Sequence, residues 1–233
     1  MANFESNPIV NIVRAEVLTL EESPRLMAFE SLSSASPEPC ISDGGEKELR
    51  IKNRILAQDM LEDIIKGYNI KLKDCVLSRD LLEIIDGGAV REAGADRYSG
   101  YSAPAGGAPS ERTRFVLRLY TAEKDYSGEA KAYFRFTFPH CVGTPAKFSF
   151  EDGVFSTPEY LVRSRTASGQ SAMLIECIDR LPVLCAEETE IPPSFDEGNC
   201  FVVTAPMVIG GDEYNVGDTV SCTGAEYRKM LAD

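Results

Sequence analysis

The sequence predicts a mainly β protein: an antiparallel sandwich or barrel with a flanking short α-helix and a small C-terminal β module. Three observations predict it. Every second residue is apolar, on one strand face, over residues 114–120 and 131–138. Further strand-like runs recur about every ten residues with turn-forming residues between them. One stretch alone, Ser78 to Gly88, carries clear helix start and stop signals.

Taken in order, residues 8–20 are rich in β-branched and aliphatic side chains and read as a first strand. The Ser- and Pro-rich stretch from Leu32 to Gly45 reads as loop. From Glu46 to Ile55, Leu49, Ile51 and Ile55 alternate with Glu48, Arg50, Lys52 and Arg54. A second run sets Ile64, Tyr68, Ile70 and Leu72 against Asn69, Lys71 and Lys73. A helix can also be drawn through Ile51–Ile65, but the alternation at both ends favours two strands over 46–73. At Ser78 a hydroxyl is placed to cap a helix; Leu81, Leu82 and Ile85 share a face, and Gly87–Gly88 stop it.

Ala89 to Thr113 is rich in Gly, Ala, Ser and Pro and reads as a long loop (89–113) of the functional kind. Beyond it, Phe115, Leu117 and Leu119 share one strand face, as do Ala132, Phe134, Phe136 and Phe138. The turn residues of 123–128 join these two runs into a hairpin. Lys147–Phe150, a turn at Asp152–Gly153, Tyr160–Arg165 and Ala172–Ile178 continue the pattern. Pro182 to Pro193, with the acidic run Glu187–Glu190, reads as a connector with a solvated charged face. Cys200–Ala205, Glu213–Val220 and a closing helical turn over Gly224–Leu231 suggest a small terminal unit. The expected division is a β domain over 1–194 and an appendage over 195–233.

Composition narrows the function classes. The chain has 24 basic and 37 acidic residues, a formal net charge of −13. That balance opposes binding to nucleic-acid phosphates and to anionic lipid surfaces. No signal peptide and no membrane-spanning run is visible, so cytoplasmic synthesis is expected. The seven cysteines are scattered, with no Cys-x-x-Cys pair, and read as buried free thiols in a reducing cytosol. The single histidine, His140, neighbours Cys141, but sequence neighbours rarely face one another, and a structural turn explains both. Asp43-Gly-Gly45 and Asp86-Gly-Gly88 match no phosphate-loop pattern. The carboxylate pairs Glu62–Asp63 and Glu151–Asp152 are what an acid-rich chain supplies without any glycosidase role. The expectation is therefore no catalytic residues, no cofactor-binding residues and no metal ligands. Tyr98 and Tyr101, rigid aromatics among Ser and Gly, are the candidate subunit-contact residues.

Two groups of segments carry a family resemblance. The first is Gly44–Ala57, Glu62–Cys75 and Leu81–Gly88; the second is Phe136–Pro139, Gly143–Gly153 and Phe155–Tyr160. In motif order they resemble the major tail (tail tube) proteins of long-tailed phages and prophages of Gram-positive bacteria, over residues 8–182. The resemblance supports strands across 46–73 and leaves the region after about residue 195 outside the family pattern. It implies a β-sandwich or barrel of the tail tube type, with protomers forming stacked, commonly six-fold rings. DNA would pass through the lumen without specific binding, repelled by rings of six copies that each carry a net −13. It further implies self-contacts and terminator, tape measure and baseplate or distal tail proteins as partners, assembly in the host bacterial cytoplasm, and a place in the virion tail. Other expectations are a different virion component, such as a terminator or minor tail protein, or a β-sandwich ligand-binding module; the absence of tryptophan weakens a sugar-binding version of the last.

Overall fold

The computed structural model describes residues 8–92, 98–107, 112–185, 199–203, 206–209 and 212–222. In chain order the first elements are β1 (Ile9–Thr19), β2 (Leu26–Phe29), β3 (Leu32–Ser42), β4 (Glu46–Ile51), β5 (Arg54–Met60) and β6 (Ile64–Asp74). A helical turn, α1 (Arg79–Leu81), runs on as a π-helical turn over Leu82–Asp86. Then come β7 (Ala89–Glu92), β8 (Tyr98–Ser102), β9 (Arg114–Lys124), β10 (Ala130–Gly143), β11 (Glu159–Arg165) and β12 (Leu174–Ile178). The described C-terminal part adds β13 (Val183–Cys185), β14 (Asn199–Val203), β15 (Met207–Ile209), β16 (Asp212–Tyr214) and β17 (Thr219–Cys222).

The chain is a mainly β protein with one large antiparallel sheet and one short helix, as its sequence predicts. The sheet order is β2-β1-β9-β10-β11-β6-β3, with β12 also pairing β10. The long strand β10 makes this possible. Its first half, Tyr133–Thr137, pairs β12, and its last three residues pair β11. Between the halves a bulge at Pro139–His140 bends the strand. The sheet curls far enough for β1 to approach β3.

Alternation decides what lies inside the curl. Ala15 and Val17 of β1, Phe115, Leu117 and Leu119 of β9, and Ile70 and Leu72 of β6 point inward with Phe138, Tyr160 and Val162. Leu81, Leu82, Ile84 and Ile85 from the helical turn complete the core. Each such aliphatic or aromatic side chain contributes about 1.5–3 kcal/mol by leaving water. The Ser78 hydroxyl accepts from the Leu81 amide at 3.3 Å, and Gly87 ends the turn at φ 77°, which a Cβ would disfavour.

Several expectations change. Leu32–Gly45 is mostly strand: β3 pairs with β6 along its length and forms the sheet's last strand. Pro37 and Pro39 have no N–H to give, and on an edge strand their nitrogens can face away from the partner at no cost. Residues 46–73 hold three strands, not two, because Lys52–Asn53 turns the first run back on itself as a β4–β5 hairpin, with Lys52 at φ 54°. The expected loop over Ala89–Thr113 contains the hairpin β7–β8, since the tyrosines of Tyr98–Ser102 favour an extended backbone. Lys147–Phe150 is no strand; only an isolated bridge, Lys147 to Glu159, forms there. Strand β2 was unforeseen, and within the expected connector β13 pairs in parallel with β14. The acidic run Glu187–Glu190 and the helical turn over Gly224–Leu231 lie outside the described residues.

Candidate functional site

The first candidate surface is the β4–β5 hairpin, which continues the chain past the ends of β3 and β6. Every residue from Gly45 to Lys66 is exposed, so both faces of the hairpin are open. Those faces are apolar in large part: Leu49, Ile51, Ile55, Leu56 and Met60 are 47–68% exposed. An isolated two-stranded hairpin is marginal in water and ordinarily needs something to pack against. Its neck is fastened. The Gly44 amide donates to Asp63 Oδ1 at 2.7 Å, and Leu61 N–H donates to the Gly45 carbonyl at 3.1 Å. A Cβ on Gly44 would fall 1.7 Å from the Leu61 carbonyl oxygen, so the two chains pass here only because residue 44 is glycine.

A second surface lies at the other end of β6. Between Lys147 and Pro158 the chain forms a loop in which Phe150, Val154 and Phe155 are 83%, 60% and 96% exposed. Phe148 and Phe150 stack at 6.2 Å between centroids. The loop is closed on itself: Ser156 Oγ donates to the Ser149 carbonyl at 3.0 Å, and Val154 N–H to that of Glu151 at 3.3 Å.

Tyr101 is committed within the chain. Its hydroxyl donates to Asp86 Oδ2 at 2.5 Å and accepts from the Gly88 amide at 2.9 Å. Asp86, buried because the turn carrying it is apolar on nearly every side, also accepts from the Ala146 amide at 2.9 Å. Burial first, and then the Asp86 carboxylate, push the Tyr101 phenol well above its ordinary range. The side chain thus pins the β7–β8 hairpin to the helical turn. Tyr98 opens β8 opposite Glu92, and its side chain lies outside the described residues.

On the outer face of the large sheet, alternation places a row of charged residues that sequence reading missed. Arg14, Tyr120, Arg135 and Glu176 stand side by side on β1, β9, β10 and β12. Glu16 and Arg118 form the next pair along. Arg14, Glu16 and Tyr120 are buried, Arg118 and Arg135 are half-buried and Glu176 is exposed, and the C-terminal part of the chain lies over the row. Arg14 donates to the Pro182 carbonyl at 2.5 Å, Arg118 to that of Gly217 at 3.0 Å, and Arg135 reaches Thr219 Oγ1 at 3.4 Å. A signal for the row, though not for its cover, was present in Arg14/Glu16 and Arg118/Tyr120: polar residues two apart inside strong strands, on the face opposite the apolar one. The three-stranded sheet β13-β14-β17 draws on both sides of residue 194.

His140 occupies the β10 bulge at φ 48°, beside a shallow cleft of about 360 Å³ lined by Arg114, Val142, Arg165, Thr166 and Ala167. Cys141 is buried, and burial pushes its thiol up to about 12, so it is no thiolate at neutral pH. Its Sγ–H points to the Phe138 carbonyl at 3.2 Å. Cys40, Cys75, Cys141 and Cys177 are free, but of these four Cys141 alone is buried; Cys75 and Cys177 are exposed, against the expectation of buried thiols, because they lie just past β6 and on the open face of β12. Among the described residues no three His, Cys, Asp or Glu side chains gather into a metal-binding group, and no helix is long and apolar enough to cross a membrane.

Neither a family model nor a curated protein matches the chain. Among solved structures it is similar to a chain of the anti-feeding prophage baseplate, at 12% identity and TM-score 0.38, over 73% of this chain and 97% of that one. A chain of the sheath-tube complex of an extracellular contractile injection system in its extended state shares 13% identity at TM-score 0.37, over 72% and 92% of the two chains. A chain of the anti-feeding prophage tube-terminating cap shares 13% identity at TM-score 0.38, over 76% and 99%. At TM-scores of 0.37–0.38 these likenesses carry no function to this chain.

Proposed function

We propose that this chain is a non-catalytic structural subunit of the tail tube of a phage or phage-tail-like particle. It self-assembles into stacked rings of six around an acidic channel for DNA. The observation that carries the reading is the β4–β5 hairpin, a fastened, projecting element whose apolar side chains find no cover among the described residues. A self-assembling subunit supplies that cover from its neighbours.

The tail-protein motif order of the sequence and the net charge of −13 support the same reading, since an acidic lumen repels the DNA backbone and lets it slide. The β7–β8 hairpin, whose second strand begins at Tyr98 and which Tyr101 holds from within, is a second contact with neighbouring subunits. Residues 195–233 serve as an appended unit. Partners are further copies and the terminator, tape measure and baseplate proteins. Assembly takes place in the host cytoplasm and the product resides in the virion tail.

Electron microscopy of purified protein tests this, with rings or hollow tubes as the expected result. A strictly monomeric protein at high concentration, absent as a repeating component from native particles, overturns it. A few copies per particle instead of hundreds would identify a terminator or minor tail component.

A further inference from the structure

The two exposed apolar surfaces sit at opposite ends of one strand. β3 and β6 meet the hairpin neck at the Ser42–Ile64 pair, whereas Lys73 pairs with Glu159 beside the aromatic loop. The eleven residues of β6 separate these ends by about 33 Å at about 3.3 Å per residue. The surfaces also differ in charge. Over residues 48–54 the hairpin tip sets Arg50, Lys52 and Arg54 against the single carboxylate Glu48, which pairs with Arg50. Over residues 148–158 the loop holds Glu151 and Asp152 and no cation. Lys73 and Lys147 stand behind it at its root, next to Glu159. In a chain of net −13, a basic apolar tip is the exception that calls for an acidic apolar partner.

We infer that the hairpin tip of one copy seats on the Phe148–Phe155 loop of the next copy, a head-to-tail contact directed along β6. It rests on the self-assembly reading above and names the surfaces that would carry it. Ile51, on the hairpin face it shares with Arg54, meets Phe150 and Phe155, while Lys52 and Arg54 face Glu151 and Asp152. Because the two surfaces are different, the contact is heterologous, and such contacts either close a ring or run on as a filament. With the surfaces at opposite ends of β6, addition runs along that strand's direction and leaves a free tip and a free loop. The loop's internal hydrogen bonds hold its aromatics outward before contact, which lowers the ordering cost of association.

Charge reversal with mixing tests the contact. One variant carries Arg50→Glu, Lys52→Glu and Arg54→Glu; the other carries Glu151→Lys and Asp152→Lys. Each alone is expected to raise the concentration at which assemblies form by about tenfold or more. An equimolar mixture, or both sets of changes in one chain, is expected to restore assembly, because opposite charges again face one another. Phe155→Ser, which changes no charge, should raise the threshold in the same direction. Assembly by the reversed variants at the wild-type threshold, or a mixture no better than its components, overturns the contact and leaves the tube reading standing. A wild-type protein that never assembles removes both.

Discussion

The Tyr120 hydroxyl donates to Glu16 Oε2 at 2.9 Å, and neither residue exposes any surface to solvent (0% each). Around that bond stand Arg14, 3.2 Å from Glu16 Oε1, and Arg118, 3.6 Å from Oε2. The Arg14 pair is close but misaligned: neither Arg14 Nε nor Glu16 Oε1 makes a hydrogen bond, so it acts through charge more than direction. The Arg14 guanidinium also lies over the Tyr120 ring, 5.0 Å from its centre.

Glu16→Ala leaves two guanidinium groups facing no carboxylate in that buried space. The expected loss is about 3–5 kcal/mol, measured by urea unfolding. Tyr120→Phe removes one bond and keeps the charges matched, so its cost is about 1–3 kcal/mol. Equal losses from the two substitutions would show that charge balance is not what Glu16 supplies.

Alkaline pH should unfold the protein. Burial, and then Glu16, raise Tyr120 from 10.0 to about 12, and burial, then Asp74 and Asp86, do the same for Tyr160. Burial carries Cys141 from 9.0 to about 12. For groups raised in the folded state, the unfolded chain loses its protons first. Their stabilisation is therefore complete below pH 9.0 and declines as pH rises toward about 12. The urea midpoint should hold steady up to pH 9.0 and then fall, with tyrosinate absorbance appearing together with unfolding. A midpoint unchanged across that window contradicts the assignment.

Tyr101→Phe deprives buried Asp86 of a donor and the Gly88 amide of its acceptor. The expected cost is about 1–3 kcal/mol, with faster amide exchange at Gly88 and along the β7–β8 hairpin. Protection unchanged at those amides would mean that the hairpin is held by something other than the phenol.

Replacing Glu46–Met60 by a short glycine-rich turn should leave the unfolding midpoint nearly unchanged, within about 0.5 kcal/mol, because the excised residues are exposed throughout. Assembly should be lost. A body that unfolds without the hairpin would make the element part of the fold and withdraw the observation on which the tube reading rests.

Much of this fold was legible where one face of a strand is buried and the other wet. Phe115/Leu117/Leu119 and Ile70/Leu72 announce their strands because burial alternates with the pleat. The capped turn at Ser78 was equally readable from its hydroxyl and its stopping glycines. Strand β3 was not, because at an edge the polar and proline residues that disguise a strand are tolerated. The charged row was hidden for a different reason. Whether Arg14, Arg118 and Arg135 face water or a covering segment depends on residues more than eighty positions away, and no local pattern encodes that. The hairpin surface fell between these cases: its alternation was visible, but not that both of its faces would be left open.

The proline-bearing strand β3 has a consequence for how crowded copies behave. With Pro37 and Pro39 removing donors from that flank, another strand cannot zip onto it in register. Sideways β-recruitment of the kind that yields tangled fibres is chemically blunted on this margin, so molecules packed at the density of a growing filament can meet through their ends without fusing along their flanks.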